Sequence, residues 1–154
     1  VLTSKPAAQT QEVTLRTLAS HTQVTPGQEF QVALSFQIAK DWHIYGPKKG
    51  DTYLPTAIDW KLPKGTKLKD VKWPKPHLVN SGGSVQPTYE GTVTVLATFI
   101  APRNAKPGSK LKLTAEVSWQ VCQELICKLG EATIKTSIRV GKLATRETTS
   151  APAK

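Results

Sequence analysis

The sequence predicts one all-β domain, an immunoglobulin-like antiparallel β-sandwich, and three observations carry that expectation. Apolar residues recur at every second position over several segments, the period that turns alternate side chains of a half-buried strand toward one core. Gly, Pro, Asn and Asp residues punctuate those segments at short intervals, as turns between strands require. No window shows the stripe of an amphipathic helix, and the nearest candidate, Gln123–Leu129, is too short.

In chain order, Val1–Gln11 is polar and aperiodic and is expected to be a tail. A first strand lies around Val13–Ser20, and Thr25-Pro26-Gly27-Gln28 makes the turn that separates it from the next. Phe30, Val32, Leu34, Phe36 and Ile38 then alternate with polar residues or Ala in a long strand. Shorter extended pieces are expected at His43–Tyr45, Ala57–Leu62 and Leu68–Trp73. The alternation returns at Val93, Val95, Ala97 and Phe99, at Leu111, Leu113, Ala115, Val117, Trp119 and Val121, and at Ile134, Thr136, Ile138 and Val140. Seven or eight short strands of this kind are the pattern of a sandwich. Two long loops interrupt it, Gly46–Pro55 and Pro74–Pro87; loops of that length in compact domains are functional or disordered. Gly141–Lys154 reads as a second tail, which leaves residues 12–140 as the folded unit.

A chain of 154 residues buries a core without needing disulfides to hold it. It begins at Val1, contains no Met and has no apolar run near the roughly 20 residues of a membrane span. The expectation is therefore a mature or excised soluble piece. Lys and Arg total 21 against 11 Asp and Glu, a formal charge of +10. Those cations are scattered, as in Lys61, Lys64, Lys67, Lys69, Lys72 and Lys75, with no Arg-rich stripe interleaved with aromatics. They read as a solvated face rather than a nucleic-acid footprint.

Cys122 and Cys127 are the most informative residues. Four residues between strand-like flanks is a hairpin-sized gap, compatible with the roughly 4.4–6.8 Å Cα separation of a disulfide. A bridge closing so short a loop stabilises by only about 2 kcal/mol, against about 4.7 for a 100-residue loop. The position suits exchange chemistry better than stapling. The buried parity of its strand runs through Val117, Trp119 and Val121, so Cys122 is expected to point away from the core, where a partner thiolate can reach it. An inert hairpin disulfide in a protein-binding sandwich remains open, as does a copper-handling domain using both cysteines and His43 or His77. Two cysteines with scattered histidines do not make a closed zinc site.

Several segments resemble a known family. Asp41-Trp42-His43-Ile44-Tyr45-Gly46-Pro47, Leu54-Pro55-Thr56, Ile58–Gly65, Trp73-Pro74-Lys75-Pro76, Tyr89-Glu90-Gly91 and Val117-Ser118-Trp119-Gln120-Val121-Cys122 with Cys127 are similar, in order, to segments of the N-terminal periplasmic domain of the thiol:disulfide interchange protein DsbD. The resemblance spans about Val24 to Val140. It implies an immunoglobulin-like domain that relays electrons from a membrane-bound, thioredoxin-like donor to periplasmic thiol–disulfide proteins, acting as a protein-disulfide reductase. It further implies Cys122 as the exchanging thiol and Cys127 as its resolving partner. A cap or partner-binding region would comprise Tyr45, His77, Leu78, Val79 and Tyr89, with the cap loop at Pro76–Pro87. Thioredoxin-fold redox proteins would be the partners of a monomer with no cofactor. Two departures stand out: Lys128-Leu129-Gly130 follows the second cysteine where the family often has Pro, and Gly46 replaces an aromatic.

Trp42, Trp60, Trp73 and Trp119 are expected to pack in the core or at its rim. Lys128 and Lys112 would favour a thiolate and Glu124 would oppose it. No Ser-His-Asp set, phosphate loop or carboxylate pair at catalytic spacing is present.

Overall fold

The computed structural model describes residues 12–142 apart from Asp51 and Gly82, and among these residues there are strands but no helix. The strands are β1 (Val13–Ala19), β2 (Gln23–Val24), β3 (Glu29–Ile38), β4 (Ile44–Tyr45), β5 (Ala57–Lys61), β6 (Lys67–Lys72), β7 (His77–Ser81), β8 (Ser84–Tyr89), β9 (Thr92–Ile100), β10 (Lys110–Gln123) and β11 (Ile126–Val140). They form two four-stranded sheets, β1-β3-β9-β6 and β2-β11-β10-β5, and a three-stranded sheet, β4-β8-β7. Pairing is antiparallel except where the two residues of β2 run parallel to β11. The fold is an immunoglobulin-like β-sandwich, as the alternation predicts.

The alternation also explains the packing. Phe30, Val32, Leu34, Phe36 and Ile38 of β3 are all buried, and so are Val93, Val95, Ala97 and Phe99 of β9. They meet Leu111, Leu113, Ala115, Val117, Trp119 and Val121 of β10 across the interior. Phe36 meets the Trp119 ring edge-on at 6.4 Å, and Trp60 meets Phe99 at 4.9 Å; both contacts join the two large sheets. Each fully buried large apolar side chain contributes about 1.5–3 kcal/mol. Gly130 is paired with Trp119, and a Cβ there would lie 2.4 Å from the indole, so only glycine lets that ring lie flat on β11. The turn before β3 is closed by the Gln28 N–H donating to the Thr25 carbonyl at 3.0 Å. Gly27 at φ 80° supplies the left-handed position that a type II turn needs after Pro26.

Two segments differ from the sequence expectation. Pro74–Pro87, expected as a loop, contains the β7–β8 hairpin, paired from His77↔Thr88 to Ser81↔Ser84. Its strands are held by backbone pairing with little burial beyond Thr88 and Tyr89, so no apolar alternation announces them. The last strand begins at Ile126 rather than Ile134, because β11 continues its ladder with β10 out to the turn although Ile126–Leu129 is exposed. The tails expected at 1–11 and 141–154 lie outside the described residues, save Gly141 and Lys142.

Candidate thiol–disulfide site

The site is built on the far end of the β10–β11 ladder, which runs from Lys110↔Arg139 to Gln123↔Ile126. Two residues, Glu124 and Leu125, close the hairpin, with Glu124 at φ 47°. A positive φ at the first turn position is the type II′ requirement that Gly usually meets. Cys122 and Cys127 are directly paired, with Cα atoms 4.1 Å apart, and form a disulfide. The opposite edge of β10 explains the closeness. The Cys122 N–H donates to the His43 carbonyl at 2.9 Å, and the His43 N–H donates to the Cys122 carbonyl at 3.0 Å. Both backbone groups of Cys122 thus face away from β11. The cysteines occupy a non-hydrogen-bonded pair, the kind in which cross-strand side chains approach most closely.

The two cysteines differ in access. Cys127 is exposed, whereas Cys122 is only 2% exposed. The parity expectation for Cys122 is half right. It does share the outer face with Gln120, but that face is covered here by chain from elsewhere in the sequence. His43 lies beside Cys122 on the same face, its Nε2 3.0 Å from the Tyr45 hydroxyl, and Tyr45 stacks on Tyr53 at 4.6 Å. The Leu54 N–H donates to Gln120 Oε1 at 2.6 Å, and Gln120 Nε2 lies 3.6 Å from Cys122 Sγ. The residues of that chain seen to touch this face are Tyr53, against Tyr45, and Leu54, against Gln120. Thr56, buried, anchors them by donating its hydroxyl to the Tyr45 carbonyl at 2.5 Å and its N–H to the Gly46 carbonyl at 3.2 Å. Gly50 packs so near Tyr53 that a Cβ would lie 2.1 Å from its ring.

The electrostatics follow from this covering. Burial holds the half-buried His43 below the ordinary histidine pKa, with Glu90 pulling weakly the other way. Burial, helped by Tyr53, raises the Tyr45 hydroxyl. Both groups therefore stand neutral near pH 7. On the inner face of the hairpin Lys128 forms an ion pair with Glu12 at 2.8 Å and lies over the Trp42 ring at 5.5 Å. Its bond to Glu12 holds that carboxyl below the ordinary glutamate range.

The other expected site residues fall on the small third sheet. Tyr45, Thr88 and His77 stand in one row across β4, β8 and β7. Tyr45 is buried and His77 exposed. Leu78 is exposed and Val79 half-buried on β7. Tyr89 is buried, donates its hydroxyl to the Pro74 carbonyl at 2.6 Å and stacks on Trp73. Of this group Tyr45 has the closest ties to the cysteine pair, through His43. Thr52 ties the two areas together, since Gln86 on β8 donates to its hydroxyl at 2.9 Å. Gln120 and Leu54 stand in the resembling segments but were given no role from sequence, and Tyr53 was not singled out. Gln120 was within reach, because it shares the parity of Cys122; no local pattern marks Leu54 or Tyr53. Among the described residues no group of three or more His, Cys, Asp and Glu stands where it would hold a metal ion.

A protein-family comparison decides what this hairpin belongs to. The sequence model of the family described as "Thiol:disulfide interchange protein DsbD, N-terminal" matches residues 10–137. The chain belongs to that family. As a DsbD N-terminal-type domain with a bonded cysteine pair, it is a thiol–disulfide oxidoreductase domain in the general sense. No curated protein matches it by sequence. Among solved structures, the N-terminal periplasmic domain of ScsB from Proteus mirabilis is 17% identical with a TM-score of 0.56, over 82% of this chain and 46% of that one. The chain thus spans about half the length of that structure. The reduced DsbD N-terminal domain of Neisseria meningitidis is 19% identical with a TM-score of 0.49, over 82% of this chain and 85% of that one. The Bacillus cereus pilin subunit BcpA reaches a TM-score of 0.52 at 11% identity, over 84% of this chain and 40% of that one. At such identities the likeness concerns the fold. Among the described residues no helix is long and apolar enough to cross a membrane.

Proposed function

We propose that this chain is a periplasmic dithiol–disulfide exchange domain that takes two electrons from a thioredoxin-fold donor and passes them to periplasmic thiol–disulfide proteins. One observation carries the reading: a family-typical cysteine pair is bonded across a hairpin tip with one member exposed and the other covered. Exchange needs in-line approach to a sulfur, so access assigns the roles. Cys127 is the residue that forms the mixed disulfide and Cys122 the one that resolves it, the reverse of the order that the resemblance implied.

The steps balance as follows. A donor thiolate attacks Cys127 Sγ, the bond to Cys122 breaks, and Cys122 leaves as a thiolate that takes up a proton. The donor's second thiolate then attacks the donor sulfur, which releases reduced Cys127 and an oxidised donor. In the forward half-cycle the Cys127 thiolate attacks an acceptor disulfide, and Cys122 attacks Cys127 to re-form the internal bond and free the reduced acceptor. Leu125, 97% exposed, and Leu129, 69% exposed, flank Cys127 and give a partner an apolar rim to cover.

Trapping tests the proposal. A Cys122→Ser chain should form a covalent adduct, through Cys127, with a thioredoxin-fold protein that lacks its own resolving cysteine and carries an activated thiol. Cys127→Ser should give far less adduct. Failure of both variants to form adduct, with a wild-type disulfide that resists reduction below about −300 mV, would return the hairpin to a structural role.

A further inference from the structure

We infer that Gln120 is a built-in donor to the Cys122 thiolate and that the Leu54 backbone sets its aim. The inference rests on the exchange reading above and adds a residue to it. Gln120 lies two positions before Cys122 on the same face of β10, so its side chain and the sulfur stand side by side. The orientation of its amide is fixed by its neighbours. The Leu54 N–H is a donor, so the atom 2.6 Å from it must be the carbonyl oxygen, and the amide nitrogen is left directed at Cys122 Sγ, 3.6 Å away.

That placement matters at one moment of the cycle. When a donor thiolate attacks the exposed Cys127 Sγ, the electron pair of the breaking bond collects on Cys122 Sγ. This sulfur is 2% exposed and has little water to solvate its charge. An N–H already aimed at it stabilises the leaving thiolate without rearrangement, the economy of a preorganised donor. A lower-energy leaving group departs faster in thiol–disulfide exchange. The other neighbours do not supply this. His43, beside Cys122 on the same face, is held neutral by burial and engages Tyr45 through Nε2. Lys128 lies on the opposite face of the hairpin, occupied by Glu12 and Trp42. The geometry also links loop to redox chemistry: lifting Leu54 off Gln120 frees the amide to turn, so a partner that displaces Leu54 alters the Cys122 thiolate that leaves when Cys127 is attacked.

The test uses the full chain with Cys127→Ala, in which Cys122 is the sole thiol, and follows thiolate ultraviolet absorbance against pH. Gln120→Leu should move the thiolate midpoint up by about one pH unit, the worth of a hydrogen bond to a charged group. Gln120→Glu, which keeps an acceptor for Leu54 but replaces the donor by a charge, should move it further. In the chain with both cysteines, each substitution should slow reduction by dithiothreitol several-fold. Melting curves of the oxidised proteins report folding independently, and the Glu variant guards against collapse of the Leu one. Unchanged midpoints and rates in both variants, with or without a lower melting temperature, would reduce Gln120 to a loop anchor. That outcome would leave adduct formation at Cys127 untouched, so the inference can fail while the exchange reading stands.

Discussion

The two halves of the β10–β11 ladder have the same backbone geometry and opposite surroundings. Between Lys110 and Val117 the ladder is flanked by β2 and β5, and its inner side chains, Leu111, Leu113, Ala115 and Val117, sit in the shared core. Beyond Trp119 the flanking strands end. Among the described residues the outer edge of β10 is there paired by the His43 bridge, and β11 carries exposed residues from Ile126 to Leu129. The first half is held by apolar burial that reaches both large sheets. The second keeps Val121 in that core and is otherwise held by hydrogen bonds, one disulfide and the contact of Leu54 with Gln120. Stability is concentrated in the first half and chemistry in the second, as expected where a rigid scaffold presents a reactive group at its margin.

Three measurements break or sharpen that contrast. Phe36→Ala removes a ring buried at the inner end of the Trp119 contact and should cost about 3–5 kcal/mol, read as a fall in the chemical-denaturation midpoint. Reducing the disulfide should cost less, about 2 kcal/mol by loop-closure entropy, and should leave the far-ultraviolet spectrum of the sandwich intact. If reduction unfolds the domain as thoroughly as Phe36→Ala, the division between scaffold and site is wrong. The smallest effect concerns pH. Because burial depresses His43, the folded state binds fewer protons there than the unfolded state. Its contribution is most favourable above the unfolded value of about 6.5 and is lost as pH falls toward the lower folded one. Melting temperatures taken down through that window should decline, and His43→Gln should flatten part of the slope. A slope that His43→Gln leaves unaltered would mean that His43 is free to charge in place.

Much of the scaffold half was legible in the sequence. Alternation at Phe30–Ile38, Val93–Phe99 and Leu111–Val121 is a direct record of one-sided burial, so strands and core came together. The exposed half left a fainter trace. His77–Ser81, Ser84–Tyr89 and Ile126–Leu129 are strands through backbone pairing, and a pairing that buries few side chains does not write itself into residue types. The cysteines were found because spacing constrains them chemically. Their neighbours were found only in part: Tyr45 through a resemblance, His43 as a candidate copper ligand, Gln120 and Leu54 inside resembling segments but with no role, and Tyr53 not at all.

The sequence by itself determined the class of fold, the inward-facing residues and the hairpin closeness of Cys122 and Cys127, because periodicity and short spacing are local properties of the chain. Only the tertiary structure decided which sulfur is accessible. Cys122 points outward by parity yet lies covered, because chain more than sixty positions earlier, at Leu54, folds back onto Gln120. Long-range contacts of that kind depend on where loops land, and no local pattern encodes it.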